Sequence, residues 1–164
     1  MALYEITLCK EDMKFSSAHF TILESTLERL HGHNYQLLLH VKAQRLRAGL
    51  LVDFSVIKQE ARRLCASLDE TFLIPSRSPE LEISQQGGEI ELRCRGKRYV
   101  LPDADCRLLP LENISCECLA DWFCHTLIER LRPQLRAAGV VSLAAAVQES
   151  PGQSGRCEEA LGPA

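Results

Sequence analysis

Three histidines near the start of the chain are spaced as metal ligands are. His31 and His33 flank a single glycine, Gly32, and His19 closes the run Phe15-Ser16-Ser17-Ala18-His19. In an extended segment residues i and i+2 point to the same side, so His31 and His33 present two imidazoles together, with Gly32 leaving room for their approach. A third imidazole at the end of a neighbouring strand completes a facial set. Three His ligands with an open fourth position describe a catalytic rather than a structural zinc site. A His-x-His pair on its own also fits a solvated strand face, and three imidazoles equally accept nickel, cobalt or iron. His40, on the opposite strand face, and His125, off the apolar helix stripe, have no such partners and read as non-ligands.

These side chains need strands to hold them. Residues 5 to 20 and 34 to 43 carry strand character, with Ile6 and Leu8 and then Tyr35, Leu37, Leu39 and Val41 alternating, as a half-buried antiparallel pair requires. Gly49 breaks the pattern. Asp53 or Ser55 then caps a helix over about 55 to 68, whose Val56, Ile57, Leu64 and Leu68 share a face before Pro75 closes the segment. Over 79 to 102 the alternation of Ile90, Leu92 and Cys94, the turn Arg95-Gly96-Lys97 and the return through Tyr99 and Leu101 predict a β-hairpin, read as an insertion on the core. A second helix starts at Ser115 and carries Leu119, Trp122, Phe123, Leu127 and Leu131 on one stripe, with Pro133 and Gly139 marking its end. An apolar strand from Val140 to Val147 delivers Glu149 at its edge, and a short piece from Arg156 to Leu161 pairs back.

Composition narrows the function classes. The chain of 164 residues is 46% hydrophobic, 25% charged and 5% aromatic, the make-up of one soluble domain spanning 1–164. Lys+Arg 19 against Asp+Glu 22 gives a net charge of −3, so no overall positive field exists to hold nucleic acid or an anionic membrane. The opening Met-Ala-Leu-Tyr-Glu-Ile lacks a leader pattern and no stretch approaches a span of about 20 apolar residues, which makes the cytoplasm the expected compartment. In a reducing compartment the eight cysteines are expected free of disulfides, most of them as small buried hydrophobes. Arg93, Arg95, Lys97 and Arg98 form a local basic cluster that reads as solvated hairpin charge.

Taken in order, Phe15-Ser-Ser-Ala-His19, His31-Gly-His33-Asn34, Gly49-Leu-Leu-Val-Asp53-Phe54 and the helix-opening Glu117 resemble the 6-pyruvoyl-tetrahydropterin synthase and 6-carboxytetrahydropterin synthase family, over residues 5 to 158. The resemblance implies an α+β tunnelling fold: a small antiparallel sheet with two helices on one face, whose protomers join sheets into an oligomeric barrel, expected as a homohexamer with active sites between chains. It also implies that His19, His31 and His33 bind Zn2+, which holds the substrate's side-chain hydroxyls. Glu149 matches the glutamate that anchors the pterin, because a carboxylate accepts two parallel N–H bonds from the ring edge. Ser115 and Glu117 match, loosely, residues that support the pterin pocket, although a helix cap and a first-turn charge explain them equally well.

Two departures bear on activity. Family members with the usual mechanism carry a cysteine base four residues before His-Gly-His; here Leu27 stands there, and leucine cannot move a proton. Glu28 follows it, giving Glu-x-x-His-Gly-His, similar to a subgroup in which glutamate takes the cysteine's place and the side chain of 7,8-dihydroneopterin triphosphate is cleaved to 6-hydroxymethyl-7,8-dihydropterin. The second departure is Leu68-Asp69-Glu70, where the family reads Leu-Asp-His; Glu70 could replace the histidine only with a raised pKa. The expected catalytic set is Glu28, Asp69 and Glu70. The expected function is a zinc-dependent lyase acting on a small-molecule pterin of folate biosynthesis. The alternatives are 6-carboxytetrahydropterin synthase activity in deazapurine (queuosine) biosynthesis and a non-catalytic pterin- or purine-binding homologue.

Overall fold

The computed structural model describes residues 2–162. Strands β1 (Tyr4–Leu8), β2 (Lys14–His19) and β3 (His31–Ala43) come first, and helix α1 (Phe54–Leu68) follows. Next are β4 (Thr71–Pro75), β5 (Glu82–Gln86), β6 (Glu89–Cys94), β7 (Lys97–Pro102) and β8 (Cys106–Leu109). The chain finishes with helix α2 (Cys116–Ala138), β9 (Val140–Ser150) and β10 (Gln153–Ala160). Seven strands form the main sheet in the order β10-β9-β3-β2-β4-β8, with β1 also paired to β3.

The long β3 organises this sheet. Its first half pairs with β2, from His19↔His31 to Lys14↔Gln36, and its second half with β1, from Leu8↔Leu39 to Tyr4↔Ala43. Its other edge takes β9 in antiparallel register, which β10 then follows. The antiparallel centre agrees with the sequence reading, but the far side of the sheet is mixed: β4 joins β2, and β8 joins β4, both in parallel. Parallel neighbours need long crossovers, and here α1 and the segment of 76 to 105 supply them.

Both helices cover one face. Asp53 caps α1 by accepting from Ser55 N–H at 2.8 Å. Ser115 caps α2 by accepting from Cys118 N–H at 3.2 Å. The α1 residues Ile57, Ala61, Leu64 and Leu68 and the α2 residues Leu119, Phe123, Leu127 and Leu131 close over Phe15, Tyr35, Leu37, Leu39 and Val147. Pro133 does not end α2 as expected; the helix runs on to Ala138 and stops at Gly139, whose φ of 73° is the left-handed stop. Leu131 and Leu135, buried on either side of the proline, keep that turn against the core and offset the hydrogen bond it forgoes.

In place of a simple hairpin, residues 82 to 102 form a separate three-stranded antiparallel sheet, β5-β6-β7. Its first turn is Gly87-Gly88, both at positive φ (63° and 83°), the conformation that tight hairpin turns demand. Leu81, Ile90, Leu92 and Cys94 make a second core with Phe20, Phe72 and Ile74. The middle of β4 is therefore buried on both faces, Leu73 under the helices and Phe72 and Ile74 under this meander. Among the described residues no helix is long and apolar enough to cross a membrane.

Candidate metal centre and ring pocket

Register brings the three histidines together. His19 sits directly opposite His31 across the β2/β3 ladder, and His33 opposite Ser17, so all three imidazoles project on the helix-covered face where the sheet emerges beyond α2. Ring centroids lie 4.5 Å apart for His19 and His31, 4.9 Å for His31 and His33, and 5.4 Å for His19 and His33. One ligand atom from each falls within 4.8 Å of the others. Gly32 does not make the space between them. It lies on the opposite face of β3, where a Cβ would come within 3.1 Å of Ser17 O.

Hydrogen bonds to the backbone orient two of the rings. His19 Nδ1 donates to Ile114 O at 3.0 Å, and His31 Nδ1 donates to Arg29 O at 2.7 Å, which leaves each Nε2 with a free lone pair. His19 is 2% exposed, and its Nε2 is a buried polar atom without a hydrogen-bond partner. Burial, reinforced by the neighbouring imidazoles of His31 and His33, pushes the His19 pKa down to about 4, so this ring is neutral near pH 7. A neutral imidazole with an orphaned, inward-facing Nε2 is what a divalent ion requires. The donor set fits a metal, and His19, His31 and His33 are the residues that would hold it.

The cavity beside the imidazoles, about 490 Å³, is lined by Thr21, Glu28, Ser115, Cys116, Glu117 and Glu149 and closed by the β9/β10 turn at Gly152 to Ser154. Every sequence-predicted residue is here except Asp69 and Glu70. Glu149 stands between His33 Nε2, at 3.7 Å, and Cys116 Sγ, which donates to its Oε2 at 3.5 Å. The sequence reading gave Cys116 no role in the site, since its spacing from Cys118 lacks the Cys-x-x-Cys of a metal pair, and only its place at the start of α2 could have suggested one. Burial first, and then Glu149, pushes its pKa up to about 12, so it is a thiol donor and cannot serve as the missing cysteine base.

Glu28 reaches the cavity from a compact turn. Ile22 bridges Leu27, Leu23 N–H donates to Thr26 O at 2.9 Å, and Glu28 N–H to Thr21 O at 3.0 Å. Three outside groups grip this turn. Asn113 accepts from Ile22 N–H at 3.0 Å and donates to Ile22 O at 2.8 Å. Arg95 donates to Glu24 O at 3.0 Å, and Lys97 Nζ to Leu27 O and Glu28 O at 3.1 and 3.3 Å. Two of the cations read as solvated hairpin charge are thus structural, while Arg93 and Arg98 are held on Glu91. Leu27 is partly buried against the meander core, as an apolar anchor for the turn.

Asp69 and Glu70 lie elsewhere in the chain. They line a larger cavity, about 640 Å³, together with Asp12, Ser16, Asn34 and Arg62. Asp69 Oδ1 accepts from Ser16 N–H at 2.7 Å, and Glu70, at φ 56°, donates its N–H to Ser16 O at 2.7 Å. These carboxylates flank β2 and do not line the three-imidazole cavity, although Glu70 shares a further pocket with His33.

The profile of the 6-pyruvoyl tetrahydropterin synthase family matches residues 7–160, nearly the whole chain. The protein belongs to this family. Among solved structures, 6-pyruvoyltetrahydropterin synthases of Plasmodium vivax and Plasmodium falciparum superpose with a TM-score of 0.93 at 28% identity, covering 98% of this chain and 100% of theirs. Two further P. vivax structures are described as catalytic-residue mutants in which a glutamate is replaced by alanine or cysteine. A provisionally named 6-carboxy-5,6,7,8-tetrahydropterin synthase of Methanocaldococcus jannaschii is 28% identical over 148 residues, 88% of each chain. One of Pyrococcus abyssi, named likewise, is 24% identical over 125 residues, 75% of this chain and 74% of its own.

Proposed function

We propose that this family member is a zinc-dependent lyase that cleaves the side chain of 7,8-dihydroneopterin triphosphate, or a close relative, to 6-hydroxymethyl-7,8-dihydropterin. The observation that carries the reading is the convergence of His19, His31 and His33 with two carboxylates of different station, Glu28 and Glu149, in one cavity. Zn2+ on the three imidazoles would lower the pKa of a side-chain hydroxyl of the substrate. Glu149, with Ser115 and Glu117 beside it, accepts the paired N–H groups of the pterin edge and so fixes the ring. Glu28 takes the proton from the C2′ hydroxyl, the C1′–C2′ bond breaks to release a phosphorylated aldehyde, and C1′ takes up a proton. The catalytic glutamate of the P. vivax structures supports a carboxylate in this role.

The β10 and β8 edges of the sheet are unpaired among the described residues, and joining them to neighbouring chains, as in a homohexamer, would satisfy them. In that assembly Asp69 and Glu70 serve a site contributed by the next protomer, and the protein works in the cytoplasm. The archaeal relatives favour one other reading, 6-carboxytetrahydropterin synthase activity. Incubating dihydroneopterin triphosphate with enzyme and identifying the product separates the two. Glu28→Gln should lower turnover by roughly 10² to 10⁴ while zinc content and pterin affinity stay nearly unchanged. Absence of wild-type turnover on every dihydroneopterin phosphate, with pterin still bound, would replace the lyase by a binding protein.

A further inference from the structure

Away from the cavity, where α2 crosses β10, a second group of ligating side chains converges: Asp121 and His125, one turn apart on the helix, and Cys157 on the strand. Cys157 Sγ lies 3.5 Å from Asp121 Oδ1, and His125 Nδ1 lies 3.2 Å from the same oxygen. A tetrahedral zinc ion with Zn–S of about 2.3 Å and Zn–N and Zn–O of about 2.0–2.2 Å separates its ligand atoms by roughly 3.6 Å for S···O and roughly 3.4 Å for N···O. Both measured edges are within about 0.2 Å of that figure, and all three ligand atoms lie within 4.8 Å of one another.

The far side of the imidazole supplies what metal-bound histidines have in other proteins. His125 Nε2 donates to Glu159 Oε2 at 2.7 Å, which fixes the ring and leaves Nδ1 facing Asp121. Nδ1 also lies 3.0 Å from the Asp121 carbonyl, so without a metal its N–H donates there, and an ion binding at Nδ1 takes the place of that proton.

We propose that Asp121, His125 and Cys157 form a second divalent-metal site, selective for zinc-class ions, with Glu159 orienting the imidazole and water completing the shell. A thiolate, an imidazole and a carboxylate together suit Zn2+ or Co2+ and disfavour Mg2+ and Ca2+, which take oxygen shells. Binding displaces the thiol proton of Cys157, and any proton on Nδ1, to solvent. The ion would tie β10 to α2 two residues beyond Gly155, so it braces the strand whose other end, Gln153 and Ser154, lines the ring pocket.

The test is metal titration with Zn2+ and with Co2+, whose thiolate complexes absorb in the near ultraviolet. Wild type should saturate at two Zn2+ per chain and show the thiolate band with Co2+. Cys157→Ser and His125→Ala should each take up one equivalent, Cys157→Ser without the band, and both should retain turnover, since neither residue touches the catalytic cavity. The double variant His31→Ala/His33→Ala should keep one equivalent and the band. Saturation of wild type at a single Zn2+, or a thiolate band that survives Cys157→Ser, would overturn the proposal, and either result leaves the three-histidine centre standing.

Discussion

Gly155 is the residue at which the ring pocket is most sensitive to a single carbon atom. A Cβ at this position in β10 would stand 2.4 Å from both Cys116 C and Glu117 N, and 2.7 Å from Cys116 O. Ordinary contacts begin near 3.4 Å, so Gly155→Ala requires about 1 Å of separation between two backbone segments, neither of which ends in a flexible side chain. Overpacking of this kind costs about 1–3 kcal/mol, and the upper end applies because α2 and β10 are both held along their length by the core. For a chain of this size about 3 kcal/mol corresponds to a fall in Tm of roughly 6–12 °C. The displaced atoms open α2 beside Ser115, Cys116 and Glu149, so pterin affinity should fall together with stability. Differential scanning calorimetry and pterin titration on Gly155→Ala, with the neighbouring exposed Arg156→Ala as control, read both. A Tm within about 2 °C of wild type and unchanged pterin affinity would refute the close approach.

Three other outcomes follow from the same geometry. Purified protein should hold zinc at the three-histidine centre, and His31→Ala or His33→Ala should lose most of that equivalent, because two imidazoles hold the ion less well than three; full retention in both would remove the assignment. Glu149→Gln keeps the shape but turns one acceptor into a donor facing the ring's N–H edge, so calorimetry should show pterin affinity weaker by roughly 1.5–3 kcal/mol. Metal-free protein should also lose stability in acid. The folded pKa of His19, about 4, lies below its ordinary 6.5, so between these values the unfolded chain binds the proton that the folded chain refuses. Stability is then flat above about pH 6.5 and falls as pH drops toward 4, by an amount of order 3 kcal/mol. His19→Gln should flatten this slope in chelator-treated protein, and an identical slope would assign the acid sensitivity elsewhere.

The convergence of His19, His31 and His33 was legible because it depends on period-2 geometry alone: His-x-His on one strand, a third histidine closing the strand before it, and antiparallel pairing between them. The helix caps Asp53 and Ser115 and the left-handed stop at Gly139 were legible for a similarly local reason. Pro133 misled because its local penalty is smaller than the burial of Leu131 and Leu135 around it. The Gly87-Gly88 turn carried a signal that the alternation of β6 and β7 overshadowed, so β5 went unseen. The parallel pairings of β4 and β8, the placement of Asp69 and Glu70 outside the three-imidazole cavity, and the convergence of Asp121, His125 and Cys157 are tertiary facts. No local pattern encodes them.

If Glu28 is the base proposed above, the grip of Arg95 and Lys97 on the turn of 21 to 28 gives the meander a part in catalysis although it stands outside the cavity. A base on a free surface loop must be caught in the right pose at each encounter, and the entropy of that search enters the barrier; a base whose own carbonyl is tethered from behind has settled it during folding. The side chain of Leu27 then has a purpose where a proton carrier would otherwise stand, since it plugs the turn into the same apolar platform. A chain keeping Glu28 but trimmed of residues 79 to 102 would retain the proposed base and lose its effective concentration.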